Sequence, residues 1–250
     1  MIIKQEFESH VEEINLYFNF LEKIEREEYR LINNFDNSLT PYVINDELLK
    51  VLKANGYILL YNLIESTIFN SIVSIFDNIS IDNLNFHDVT EKIKKFWLRH
   101  TYKYDPLIVD EKLIYNKCYS IVTKIFQEIT ISMTDKIKYG GSLDAKGIRD
   151  LAAELGITLS SDHYSKDRHG EALLQIKKNR NDLAHGKKTF SEIARDITYS
   201  GSTYINEDGL LTIQSLGLKH LRDFTIEHLE KYIDSIEIFL SNKDYKFNAI

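Results

Sequence analysis

Apolar residues recur along this chain at helical spacing almost from end to end. Phe7, Val11, Ile14, Phe18 and Leu21 follow one another at steps of four, three, four and three, which is one stripe of an amphipathic helix. Glu12, Glu13, Glu22, Lys23, Glu25 and Arg26 fill its other side. Pro41, within NSLTPYVINDE, breaks the pattern. A second helix is expected from about Asp46 to Phe76. Its stretch GYILLYNLIESTIFNSIVSIF is apolar on all sides, as a central buried helix should be. A shorter amphipathic segment surrounds Val89, Ile93, Phe96 and Trp97. A longer one carries Ile114, Cys118, Ile121, Val122, Ile125, Phe126 and Ile129.

YGGSLDAKGIRDLAAELGI then reads as loop, helix start and helix stop. Gly140 and Gly141 end one element, Ser142 or Asp144 caps the next, and Gly156 closes it. Another helix runs from about Asp167 to His185, with Gly186 just past its end. Thr189 to Glu192, TFSE, has the spacing of a capping box for a short helix. TYINEDGLLTI alternates around Asp208-Gly209 and allows one small β-hairpin near residues 203–213. A last helix covers roughly Leu216 to Ser241. No repeat, low-complexity tract or Pro/Gly-rich linker interrupts the series, so the expectation is a single all-α domain, a helical bundle over residues 1–250.

Composition narrows the class without changing the picture. Two prolines and ten glycines in 250 residues argue against a sandwich or barrel, and the length is ample for a core. One cysteine, Cys118, excludes an internal disulfide framework and a multi-cysteine zinc site; the simplest expectation is a buried thiol in a reducing compartment. The N-terminus lacks the basic and apolar blocks of a signal peptide. No run approaches 18 uninterrupted apolar residues, so a cytoplasmic protein with no membrane association is expected. A net charge of −7 speaks against a broad nucleic-acid-coating face but leaves room for a local basic site.

Such a site stands out in IKKNRNDLAHGKKTF, Ile176 to Phe190. Lys177, Lys178, Arg180, Lys187 and Lys188 surround His185, with Asp182 as the one acid. On a helical wheel Leu173, Ile176, Arg180 and Leu183 form one stripe, so Arg180 stands where an apolar residue is expected. Tyr61, Glu65, Ile68 and Ile72 form a comparable stripe with Glu65 as its misfit acid. Two readings stay open: a buried Arg180–Glu65 pair that orders the core, or Glu65 orienting Arg180 at a phosphate site. His185 has a bland reading too, since a helix C-terminus favours a histidine and flanking lysines by its dipole alone.

Arginine, histidine and lysines are also the parts of phosphodiester chemistry that needs no metal or cofactor. An imidazole exchanges a proton with a ribose hydroxyl, and a guanidinium holds phosphate oxygens as charge builds on them. Asn181 is placed to orient either group, and the lysines to draw in a strand. RNDLAHG resembles the Arg-x4–6-His signature of HEPN domains (higher eukaryotes and prokaryotes nucleotide-binding), in its Arg-Asn-x-x-Ala-His-Gly form. GGSLDAKGIRDLAAELGI and KKTFSEIAR are similar to a prokaryotic, defence-associated subgroup, so the resemblance covers Gly140 to Arg195. It implies an all-α bundle and a homodimer that joins two motifs in one composite cleft. It also implies a metal-independent endoribonuclease acting as a toxin or anti-phage effector, with an antitoxin or defence-system partner. Some HEPN toxins carry a tyrosine soon after the histidine for modification by a partner enzyme; HGKKTF has none.

On this reading Arg180, His185 and Asn181 are catalytic, Lys177, Lys178, Lys187 and Lys188 contact RNA, and Glu65 and Asp182 support them. The alternatives are a non-catalytic HEPN-fold module binding RNA, a nucleotide or a protein, and an assembly protein in which Arg180 is a core ion pair. Other signals are weaker. His163 and Asp167, in SDHYSKDRHG, are two metal-type ligands in a polar helix opening that also offers His163 or Arg168 to RNA. Gly140-Gly141 lacks the lysine of a phosphate loop. Phe96, Trp97, Tyr102 and Tyr104 suit core packing or base stacking. A second Arg/His pair, Arg222 and His228, lacks the surrounding motif and reads as surface.

Overall fold

The computed structural model describes residues 2–28, 31–32, 41–42, 44–101, 111–133, 143–160, 168–206 and 211–247. In chain order the elements are α1 (Ile2–Glu25), β1 (Leu31–Ile32), β2 (Pro41–Tyr42), α2 (Asp46–Ile81), α3 (Glu91–Thr101) and α4 (Glu111–Phe126). They continue with α5 (Ala145–Leu155), α6 (Arg168–Ala184), α7 (Phe190–Ala194), β3 (Ser202–Ile205), β4 (Leu211–Ser215) and α8 (Leu218–Ser241). Strands form only two antiparallel pairs among the described residues, so the fold is all-α as expected. The hairpin that the alternation allows is β3–β4, with Thr203 opposite Ile213 and Ile205 opposite Leu211. Pro41 does more than break a helix. It opens β2, which pairs with β1, a first-strand position that tolerates a missing N–H. Tyr102, Tyr104, Gly140, Gly141, Ser142, His163, Asp167, Asp208 and Gly209 lie outside the described residues.

The chain divides into two compact units, residues 1–67, 142–145 and 165–230, and residues 68–141, 146–164 and 231–250. The first holds α1, α6, α7, β3, β4 and the N-terminal parts of α2 and α8. The stripe of α1 is its inner face: Phe7, Ile14, Phe18 and Leu21 are all buried. They share the core with Tyr57, Leu60, Tyr61 and Ile64 of α2, Leu173 and Ile176 of α6, and Leu221 of α8. Each fully buried Leu, Ile or Phe of this set is worth roughly 2–3 kcal/mol over leaving it in water. A charged node pins the segment after α7. Lys53 is buried, with Nζ 2.5 Å from Glu25 and donating to the Ile197 carbonyl at 3.2 Å; Glu25 accepts the Tyr199 N–H at 2.8 Å. Every charge in the node has a partner, as burial demands. The Arg222/His228 pair is not surface, contrary to the wheel reading. His228 is buried, and Arg222 is paired with Asp223 at 2.7 Å over the Phe18 ring.

The second unit contains α3, α4, most of α5 and the C-terminal parts of α2 and α8. Ile72, Ile75, Phe76 and Ile79 of α2 are buried there, as are Val89, Ile93, Phe96 and Trp97, so the aromatic pair of α3 is core. Phe76 and Phe96 stack at 6.0 Å, and Trp97 donates to the Ser132 carbonyl. No residue of α4 is buried. Its stripe is only partly covered: Ile121 and Ile125 are half-buried, Val122 and Phe126 are exposed, and Cys118 is exposed rather than buried as expected. α2 runs five residues past its expected end. By length and composition it is able to cross a bilayer, and half of that stretch is buried within the protein.

Asp82, just past α2, fastens the C-terminal end of the second unit. It receives Lys243 at 2.9 Å, the Tyr245 hydroxyl at 2.8 Å and Lys246 at 3.0 Å. The hydrogen bonds from Lys243, then Tyr245, then Lys246 hold its carboxyl well below the usual range. A depressed folded-state pKa contributes stability above the ordinary aspartate value and loses it as pH falls below that value. Asp82→Asn therefore lowers the melting temperature at pH 7, and the gap from wild type narrows as pH falls below about 4. Melts at pH 7, 5, 4 and 3 check this; a gap independent of pH counts against the clamp.

Candidate active site

The site lies in the first unit, at the C-terminal end of α6. Ala172, Leu173 and Ile176 bury one face of that helix and fix its rotation. The helix continues until Gly186, whose φ of +62° turns the chain out. The Lys187 N–H then bonds the Asp182 carbonyl at 2.8 Å and the Gly186 N–H bonds that of Leu183 at 3.1 Å. This is a Schellman end, with His185 at the C-cap and its own N–H still on the Asn181 carbonyl at 3.0 Å. Only Lys187 and Lys188 separate it from the next start. Thr189 caps α7 as the TFSE spacing predicts, both halves of the box being made: Glu192 N–H to the Thr189 hydroxyl and Thr189 N–H to the Glu192 carboxylate. Thr189→Ala should cost about 1 kcal/mol, read as a shift in urea midpoint with an unchanged slope.

Arg180 is held from three sides. Its guanidinium carbon lies 4.2 Å from the Tyr61 ring centre, Nη1 donates to Asn181 Oδ1 at 3.2 Å, and Nη2 stands 3.6 Å from Glu65. The Arg180 and Glu65 side chains are 30% and 43% exposed, so the pair sits at a wet rim, not in the core. At 3.6 Å the carboxylate attracts without making a true hydrogen bond, which leaves most of the five guanidinium donors without a partner among the described residues. Tyr61 is itself anchored, its hydroxyl accepting the Leu143 N–H at 3.0 Å, and burial raises its pKa. Tyr61 is the residue missing from the sequence-based site. Its signal was there, four residues before Glu65 on the same face of α2, but it reads as an ordinary core tyrosine.

The other basic residues differ in freedom. Lys177 is tied to Asp144, the residue before α5, at 2.7 Å and is only partly exposed. Lys188 lies 3.8 Å from Asp182, while Lys178 and Lys187 are exposed. His185 is exposed, and no hydrogen bond or ion pair among the described residues engages its ring. The chain thus gathers Arg180, Asn181, Glu65 and Tyr61 into one group. His185 stands outside it, at the helix end with Lys187 and Lys188. The arrangement sets a fixed guanidinium at a wet rim and a separate exposed imidazole at the end of the same helix.

No curated protein and no solved structure matches this chain. A family profile, described as MAE_28990-like HEPN, matches residues 2–245. That span takes in nearly all of both compact units, the RNDLAHG run and every named helix in full, so the chain belongs to the MAE_28990-like HEPN family.

Proposed function

We propose that this HEPN protein is a metal-independent endoribonuclease whose cleft forms where the α6 ends of two copies meet. One observation carries the reading. Arg180 is held at the rim by Glu65, Tyr61 and Asn181, while His185 caps the same helix with an exposed ring that no described residue engages. The two residues lie about 140° apart around an ideal helix, so one chain aims its clamp and its proton carrier to different sides. A two-fold axis near the helix end supplies each with its counterpart from the second copy.

In this cleft Arg180 binds the scissile phosphate and stabilises the charge that gathers on its oxygens. His185 takes the proton of the ribose 2′-hydroxyl. The 2′-oxygen then bonds to phosphorus, the bond to the 5′-oxygen breaks, and the leaving oxygen takes its proton from water. The products are a 2′,3′-cyclic phosphate and a 5′-hydroxyl. Lys178, Lys187 and Lys188 draw in the strand, whereas Lys177 must leave Asp144 to take part. Such an activity fits a toxin or anti-phage effector in the cytoplasm, held in check by an antitoxin or another defence partner. The test is cleavage of a mixed RNA pool in EDTA by the purified protein, with end analysis of the products and mass in solution. Cyclic phosphate ends support the reading. A folded dimer that binds RNA without cutting it points instead to a non-catalytic binding module.

A further inference from the structure

Along the same helix, toward its N-terminus, the first unit holds an open cavity of about 330 Å3 between α2, α6, the segment after α7, and β4. That is the size of a small-ligand site. On an ideal wheel Gln175 of its wall lies about 80° from His185 but about 140° from Arg180, so the cavity belongs to the histidine side of α6. Asn179, the wall residue nearest the helix end, precedes His185 by about 9 Å of helix axis.

The lining has a definite hydrogen-bonding character. Tyr57 is buried, and its hydroxyl accepts from Gln175 Nε2 at 3.2 Å and from the Asn179 amide; burial pushes its pKa up to about 12. The hydroxyl keeps its proton to donate, and the two amides keep their carbonyl oxygens to accept. Asp196 adds an exposed carboxylate at the cavity. Glu171 adds another, 3.8 Å from Arg168. Among the described residues no lysine, arginine or histidine lines the space, and Ile193, Ile197 and Leu216 give it apolar walls. A phosphate has no place there. The wall suits a flat, uncharged ring that donates through an amino group and accepts at one neighbouring atom. Adenine, cytosine and guanine all present such an edge, and uracil does not.

We propose that this cavity seats an amino-bearing nucleobase, that of a nucleotide flanking the phosphate cut at His185. The site thereby reads RNA sequence beside the cut. The link to the cut rests on the ribonuclease reading; base binding does not. Two measurements separate them. In the first, 15N-labelled protein is titrated with the four nucleosides, which carry no phosphate for the basic run to bind. The Gln175 and Asn179 side-chain amide signals should shift with adenosine, cytidine and guanosine and stay still with uridine. Gln175→Ala should weaken binding about tenfold, and the isosteric Tyr57→Phe several-fold, which keeps the test open if the first variant folds poorly. In the second, cut sites are mapped on a randomised RNA for wild type and Asn179→Ala, and the variant should lose base preference beside the cut.

Nucleoside binding without any RNA cleavage sinks the ribonuclease reading and keeps the base site. Cleavage without nucleoside binding, with an unchanged cut pattern in Asn179→Ala, overturns the base site and keeps the nuclease. Uridine binding as well as the others, or binding indifferent to Gln175→Ala and Tyr57→Phe, also overturns it.

Discussion

His185→Ala slows RNA cleavage by about 10²–10⁴-fold and leaves RNA affinity close to wild type, because it removes proton transfer rather than strand contacts. The exposed C-cap position makes this a clean experiment. His185 bonds its N–H to the Asn181 carbonyl, which alanine also does, and its exposed ring makes no hydrogen bond or ion pair with the described residues. Arg180→Ala should fall by about 10²–10³-fold, the usual loss of a donor aimed at developing charge. Arg180→Lys should recover little, since an ammonium has no fork to hold two phosphate oxygens. The composite cleft adds a sharper expectation. His185→Ala and Arg180→Ala are each inactive as homodimers, yet equal mixing with subunit exchange restores about a quarter of the wild-type rate, if each cut uses one residue from each copy. Activity that never returns on mixing would put both residues in one chain's own site. Cleavage by His185→Ala at the wild-type rate would remove the imidazole from the chemistry altogether.

Much of this arrangement is legible in the sequence, and the reasons differ by element. The α1 stripe, the capping box at Thr189 and the helix stop at Gly186 are local. Each depends on residues within one or two turns, so spacing alone identifies it. The Arg180–Glu65 contact is long-range but leaves a trace, because each residue breaks an apolar stripe. Other features leave none. Two residues past the ends of α1, α2, α4 and α8 the chain turns out at Glu27, Asn83, Glu128 and Lys243, all with positive φ and none of them the glycine that marks a stop in the sequence. Apolar periodicity says that α4 has an apolar face but not that anything covers it, and Cys118 was misplaced for the same reason. The Lys53–Glu25 node and buried His228 fail in the opposite direction. Polar residues read as surface until the structure shows partners for Lys53 and Glu25 that lie far away in the chain. The cavity beside α6 is the hardest case: Gln175 and Asn179 look like an ordinary wetted face until Tyr57 and Asp196 are seen around them.

Gly217→Ala should strongly destabilise the first unit, and its cause is steric rather than conformational. A methyl group at Gly217 would overlap the Gly201 amide nitrogen and come within 2.5 Å of the Ser200 carbonyl carbon and 2.6 Å of the Tyr199 carbonyl oxygen. All three are backbone atoms, so no side chain can swing away to make room. The close approach exists because the chain returns on itself there. Leu218 and Lys219 N–H groups bond the Thr198 and Tyr199 carbonyls at 3.1 and 2.9 Å, which starts α8 directly against the segment that Glu25 and Lys53 pin. Forcing the strands apart breaks these bonds together, for a loss of about 3 kcal/mol or more and roughly 10 °C in melting temperature. Gly186→Ala supplies the contrast. Its φ of +62° is unfavourable for alanine, but nothing lies within 4 Å of the added methyl, so about 1 kcal/mol is expected. Ile197, Thr198, Ser215 and Leu216, on either side of the close approach, also line the α6 cavity. A Gly217→Ala protein still folded at low temperature should therefore lose nucleoside binding before it loses helix content, while Gly186→Ala keeps both. Equal melting temperatures for the two variants would mean that the chain crossing yields easily, and the cavity wall would then be far softer than its backbone hydrogen bonds indicate.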